Sequence, residues 1–271
     1  MPMNSIQKTL PFYFRLSDKP LFGCYHEPPA NRRRQVGVLI CQPVGHEYVN
    51  SHRALRQLAN RFSEAGFPVL RFDYYGCGDS SGNTEDSSVA QWLKDISAAI
   101  AELRRRAGVF RVCLVGLRLG AALAVLAAAQ RRDVESMVLW DPVVEGGKYF
   151  ADLCLLEKEM LRFRAKRRRT EKVRDGVEIL GFQWPRCLIS EVESISLRTI
   201  AGGFAKNMLV MQSDLSRGGD CSQDQLDLCA THLERRSLEA PEIWRPTVDG
   251  SLLVPAQVLQ AVVSWSSEIH S

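Results

Sequence analysis

The run Val112-Cys113-Leu114-Val115-Gly116-Leu117-Arg118-Leu119-Gly120-Ala121-Ala122 constrains this chain most. Its first four residues are apolar and stop at a glycine, as a short buried strand does. The alanine-rich stretch beyond Gly120 reads as a helix, because alanine has the highest helix propensity. A strand therefore passes into a helix through a turn bounded by two glycines. The residue at the centre of that turn is Arg118.

Elements on either side place the turn in a larger pattern. Pro11–Leu16 and Leu21–Pro28 flank a Ser-Asp-Lys-Pro turn and predict an antiparallel hairpin. Val36–Pro43 is continuously apolar up to a proline and predicts a buried strand. Ser51–Phe67 carries Ala54, Leu55, Leu58, Ala59 and Phe62 at helical spacing. Pro68–Tyr74 is a further strand, and Tyr75–Ser88 is a Gly/Ser-rich loop. Val89–Gly108 is an amphipathic helix, with Trp92, Leu93, Ile96, Ile100 and Leu103 on one stripe. Glu135–Val143 and Asn207–Asp214 are strands, Leu233–Pro241 is a closing strand, and Pro255–Glu268 is a final helix with proline in its first turn. Strands alternating with helices imply a mostly parallel twisted sheet with helices on both faces. The alternation breaks over 144–206. Residues 1–143 and 207–271 are expected to form the core, and 144–206 a helical cap inserted over the C-terminal edge of the sheet.

The totals exclude several classes. A hydrophobic content of 45% supports a packed core rather than global disorder. Residues 1–20 hold no apolar run of signal-peptide length, and Ala121–Ala129 is too short to span a bilayer. A cytoplasmic location is the expectation. The eight cysteines are scattered without a CxxC. Reduced core thiols are therefore expected, with no metal site and no cofactor.

The hairpin, the alternation, the mid-chain turn and the insertion together resemble the α/β-hydrolase fold over nearly the whole chain. Phe72–Gly82, "FDYYGCGDSSG", resembles the D-x-x-G-x-G-x-S loop of serine aminopeptidase-like hydrolases at Asp73, Gly76, Gly78 and Ser80. "GLRLGAA", with "CQPVGHEY" before it and "LWDPV" after it, is similar to hydrolases associated with exosortase A systems. That resemblance implies action on an ester, thioester or amide in exopolysaccharide or protein-export biology.

The catalytic parts of that family can be sought one by one. In G-x-S-x-G the serine stands at the apex of the strained turn. Here Gly116 and Gly120 hold the frame and Arg118 the apex. A guanidinium stays protonated at any ordinary pH, so it is neither nucleophile nor base. It either clamps an anion above the N-terminus of the helix, beside Leu119, or fills the site as half of an internal ion pair. The triad acid of the family would fall at Asp214, after the strand, with Asp141 as the other candidate. The triad histidine would fall in Glu242–Pro255, which has none; Trp244 lies there instead. His232 and His270 are expected at the surface. The loop that supplies an oxyanion amide contains Val44, His46 and Glu47. A glutamate there repels developing negative charge but suits Arg118. An Arg118–Glu47 contact is expected, since a bidentate pair of these groups is geometrically specific, with Asp214 or Asp141 as competing partner. Cys41 and Cys77 are expected to be inert, and Ser80 to hold a turn.

These residues leave two readings open: a hydrolase without the serine mechanism, or an inactive binding or accessory module. Either takes a small anionic or acyl ligand. The net charge is +4, with Arg162–Arg174 strongly basic. That run is a solvated helix face or a surface for an acidic partner or a membrane; without an aromatic stacking platform, nucleic acid is not expected.

Overall fold

A computed structural model of the protein describes residues 9–15, 19–163, 176–200, 202–213, 230–247 and 249–271. Asp214 and most of the basic run, from residue 164 on, lie outside the described residues.

The chain begins with β1 (Thr9–Phe14) and β2 (Leu21–His26), the expected antiparallel hairpin. It continues through β3 (Val36–Cys41), α1 (His46–Glu64), β4 (Val69–Phe72), α2 (Val89–Ala107), β5 (Arg111–Leu117), α3 (Leu119–Arg131) and β6 (Ser136–Trp140). Then come α4 (Gly146–Phe163), β7 (Gly176–Ile179), β8 (Phe182–Pro185), α5 (Arg186–Glu193), β9 (Ala205–Gln212), β10 (Ala230–Ser237) and α6 (Ala256–Ile269). The main sheet has the order β1-β2-β4-β3-β5-β6-β9-β10. From β4 to β10 every neighbouring pair is parallel, and β2 joins β4 antiparallel.

Alternation along the strands sorts the core into two layers. Leu39, Leu70, Phe72 and Leu114 pack with α2 and α3 on one face. Val38, Ile40, Val69 and Val115 pack with α1 and α6 on the other. The apolar stripe of α1 (Ala54, Leu55, Leu58, Ala59, Phe62) is entirely buried, as its spacing requires. Helix α2 starts where the Ser88 side chain accepts a hydrogen bond from the Gln91 N–H, and ends at Gly108 in the left-handed region.

Three features differ from the sequence reading. Helix α1 begins at His46, five residues before the expected start at Ser51, which places Glu47 in its first turn. The segment between β6 and β9 is not purely helical. Val177 to Trp184 form an antiparallel hairpin, because Leu180 and Gly181 both take positive φ and reverse the chain. His270 is buried, not exposed: its Nε2 lies 2.8 Å from Ser136 Oγ, and its ring packs on Phe67. Arg34 holds the backbone there by donating to the carbonyl oxygens of Ser267 and His270. His232 is exposed on β10 itself.

The described residues between β6 and β9 pack over the C-terminal end of β3, where Phe182 and Trp184 meet Gly45 and Tyr149 meets Glu47. Tyr149, Phe150, Leu153, Trp184, Leu188 and Val192 belong to the same buried cluster as α2, α3 and the sheet. Among the described residues, no helix is long and apolar enough to cross a membrane.

Candidate functional site

Arg118 occupies the turn between β5 and α3 with φ 55° and ψ −123°. A side chain at that backbone conformation costs of order 1–3 kcal/mol, and it persists because the surroundings fix it. Its N–H donates to Trp140 O at 3.0 Å, and its carbonyl accepts from Ala121, Ala122 and Val143. The two flanking glycines have steric reasons. A Cβ on Gly120 would lie 2.3 Å from Cys41 O, and one on Gly116 would lie 2.4 Å from Ala121 Cα. Without glycine at both places, α3 could not fold back so closely on β3 and β5. The backbone of a nucleophile elbow is thus intact around a residue that cannot be a nucleophile.

The Arg118 side chain is held on several sides. Its Nε donates to Glu47 Oε1 at 3.1 Å. Its Nη1 donates to the Asp141 backbone oxygen at 3.4 Å. The guanidinium carbon lies 4.9 Å from the Trp244 ring centre and 5.6 Å from that of Tyr149. Glu47 is 1% exposed at its side chain and Arg118 16%. The second Glu47 oxygen accepts from Tyr149 Oη at 3.1 Å. The pair is therefore single-contact, not bidentate as its chemistry suggested. Tyr149 takes the oxygen that a second guanidinium nitrogen would need. Burial pushes the Glu47 carboxyl above its usual value, with Arg118 and Tyr149 pulling the other way. Burial also works against the Arg118 charge, but Glu47 and Tyr149 outweigh it and hold its pKa above the ordinary value.

The other candidates fall around this pair. The Asp141 carboxylate lies near the Arg118 charge without an ion pair to it: its Oδ1 accepts the Ser213 N–H at 3.0 Å, securing the end of β9, and its Oδ2 is buried without a partner. Burial raises the Asp141 carboxyl pKa. Trp244, in the loop between β10 and α6, is buried, and its carbonyl accepts from Asn50 at 2.9 Å. His46, one residue before Glu47, is buried with no partner at Nε2; burial and the nearby Arg118 charge push its pKa down to about 4. The Val44 and Leu119 amides occupy the places from which this fold stabilises an oxyanion, and neither donates to another described group.

Burial pushes the thiols of Cys41 and Cys77 up to about 12, so neither is a ready nucleophile. Ser80 donates to Asp73 O at 2.6 Å and accepts from the Phe22 N–H, a turn-holding role. Among the described residues no cluster of ligand type could hold a metal.

Sequence reasoning missed Tyr149 and a cavity beside the elbow. Tyr149 sits in the amphipathic stripe of α4, where a tyrosine is indistinguishable from core. The cavity is lined by Val44, Tyr48, Trp92, Phe182, Trp184 and Leu188. It needs the β7–β8 hairpin, which carries its aromatic wall. Val44 and Gly45 form its floor and lead directly to His46 and Glu47, so the cavity and the arginine site are adjoining.

Residues 43–213, more than half of the chain, match the serine aminopeptidase S33 family. This chain belongs to that family. Among curated relatives, human palmitoyl-protein thioesterase ABHD10, mitochondrial, is 36% identical over 86 residues, 32% of this chain and 26% of that protein. Human protein ABHD12B is 28% identical over 162 residues, 52% of this chain and 43% of the relative. The chain thus matches between a quarter and a half of the length of these relatives. Among solved structures, the family member is similar to ferulic acid-bound Est1E from Butyrivibrio proteoclasticus, with a TM-score of 0.68, 18% identity, and coverage of 95% of this chain and 98% of that one. The hypothetical protein PA2218 from Pseudomonas aeruginosa is similar at a TM-score of 0.65 and 14% identity, covering 100% of this chain and 96% of its own. These likenesses show the α/β-hydrolase fold.

Proposed function

We propose that this family member binds a small acyl ligand and does not act by the serine-hydrolase mechanism. The observation that carries the reading is Arg118, seated in the strained elbow conformation and paired with the buried Glu47. A nucleophile must be exposed above the sheet; here the apex is a cation enclosed by Glu47, Tyr149 and Trp244. The loop between β10 and α6, where the family resemblance implies a histidine, brings Trp244 instead to the guanidinium.

The cavity beside the elbow supports the choice of ligand. Its walls are mostly aromatic and aliphatic, with few polar groups, as an acyl chain or acyl-linked ring requires. One relative is named as a palmitoyl-protein thioesterase and one similar structure holds ferulic acid, which points to the same ligand class. Residues 144–206 act in this reading as the cap that supplies the cavity's outer wall. The likeness of the elbow and its neighbouring loops to exosortase-associated hydrolases suggests an accessory role in exopolysaccharide or protein export, from the cytoplasm.

The test is a panel of p-nitrophenyl esters and acyl thioesters, run beside thermal unfolding with palmitate and ferulate. The expected result is turnover at the background rate, with saturable stabilisation by at least one carboxylic acid that Trp184→Ala removes. Turnover about a thousandfold above background, lost in Arg118→Ala, would establish instead a hydrolase in which the arginine polarises the substrate. The unpaired Val44 and Leu119 amides are the observation that favours this second reading.

A further inference from the structure

Beside the apolar stripe of α1 runs a polar seam that the elbow does not use. Tyr48, His52, Arg56 and Asn60 recur at four-residue intervals and so share one face of α1. Both ends of that face are pinned to the sheet. Tyr48 Oη donates to Asp73 Oδ1 at 3.2 Å, and Asn60 Oδ1 lies 3.0 Å from His26 Nδ1. His52 and Arg56, between the pins, therefore lie over Cys24 and Arg71, which are partners in the β2–β4 register. The rings of Tyr48 and His52 are in contact, with centres 5.8 Å apart.

Arg71 is the unusual member. It is 7% exposed, and its one side-chain hydrogen bond among the described residues goes from Nε to His26 Nε2 at 3.2 Å. A buried guanidinium is ordinarily matched by a carboxylate, since an unpaired buried charge is costly. The nearest carboxylate is already engaged: Asp73 accepts from Gln42, Tyr48 and the Asp79 N–H. Arg56 is exposed on the same seam and close enough to repel the Arg71 charge. Exposed Asp79 lies further along the seam, and among the described residues it pairs with neither arginine.

We propose that the seam is a phosphate-binding site, in which Arg71, Arg56 and His52 receive the oxygens of a phosphate or phosphomonoester dianion. Two guanidinium forks and an imidazole N–H suit a ligand with three terminal oxygens and nearly two charges better than they suit a carboxylate with two oxygens. The anion supplies the counter-charge that Arg71 lacks. The Arg71–His26 bond holds the Nε edge of the guanidinium and leaves its Nη groups without a partner among the described residues, and His26 is itself fixed by Asn60 and Thr9.

The experiment is isothermal titration of the whole chain with inorganic phosphate and with glycerol phosphate, at constant ionic strength. It is backed by thermal unfolding in the same buffers. Wild type is expected to bind phosphate saturably and to be stabilised by it. His52→Ala/Arg56→Ala changes only exposed side chains and should fold normally, while raising the dissociation constant about tenfold or more. Arg71→Lys, which keeps the charge but loses the fork, should weaken binding comparably. Tighter binding of glycerol phosphate would assign a phosphomonoester as ligand; equal binding would assign the free ion. No saturable binding, or an unchanged constant in the double variant, overturns the site. Trp184→Ala should leave phosphate binding untouched, so failure here is distinct from failure of the acyl-ligand reading.

Discussion

Replacing Glu47 with alanine gives the sharpest test of how the elbow is held. The carboxylate is 1% exposed and sits 3.1 Å from Arg118 Nε. Its loss leaves the guanidinium with one backbone acceptor, Asp141 O at 3.4 Å, and the faces of Trp244 and Tyr149. Breaking a buried ion pair from one side costs about 3–5 kcal/mol. For a chain of this size each kcal/mol lowers Tm by roughly 2–4 °C, so Glu47→Ala should unfold about 6–20 °C below wild type. Arg118→Ala should cost less. The Glu47 carboxyl already has a raised pKa, can take up a proton, and keeps Tyr149 as a neighbour. The Glu47→Ala/Arg118→Ala double variant removes both charges and should be no less stable than Glu47→Ala alone. Urea unfolding of the four proteins closes a double-mutant cycle, with an expected coupling of about 2 kcal/mol or more. Losses that add to within about 0.5 kcal/mol would refute the argument, because independent sites add to that accuracy.

Further outcomes follow from the same geometry. Arg118→Ser should fold but show no rapid ester hydrolysis, since no histidine lies between β10 and α6; a stopped-flow burst of p-nitrophenol would mean that His46 or another group serves as base. Gly120→Ala should lose more than about 3 kcal/mol in urea unfolding, because its Cβ would sit 2.3 Å from Cys41 O; wild-type stability would show that the α3–β3 approach is looser than described. His26, His46 and His270 are each pushed down to about 4 by burial. Between about pH 6.5 and 4 the unfolded chain binds the extra protons, so stability should rise with pH across that window and be lost on acidification. Carboxyls with raised folded pKa, such as Asp73 and Asp95, act oppositely as pH rises above their unfolded values. Replacing His270 with glutamine should reduce the acid slope of the urea-unfolding free energy by up to about 1.4 kcal/mol per pH unit, one proton's worth; an unchanged slope would place its titration outside the fold.

The alternation of strand and helix was legible because buried strands and amphipathic helices write their periods locally. The elbow was legible for a related reason. Gly116 and Gly120 are needed wherever α3 approaches β3 and β5 this closely, whatever residue stands between them. The chemical complementarity of Glu47 and Arg118 could also be read from residue types, given the two loops they occupy. The β7–β8 hairpin could not. Its four-residue strands carry too little pattern to compete with the helical segments around them, and Leu180 gives no sign in sequence that it will take positive φ.

The sequence by itself determined the alternation of strand and helix, a mostly parallel sheet with helices on both faces, and the absence of a serine at the elbow. Those properties follow from local composition and steric need. Only the tertiary structure decided that the ion pair is single-contact, that Tyr149 and Trp244 close around it, and that His270 is buried against Ser136. Each depends on side chains from distant segments meeting at one point. Their distances, and the water they exclude, are set by packing and not by any neighbour in the chain.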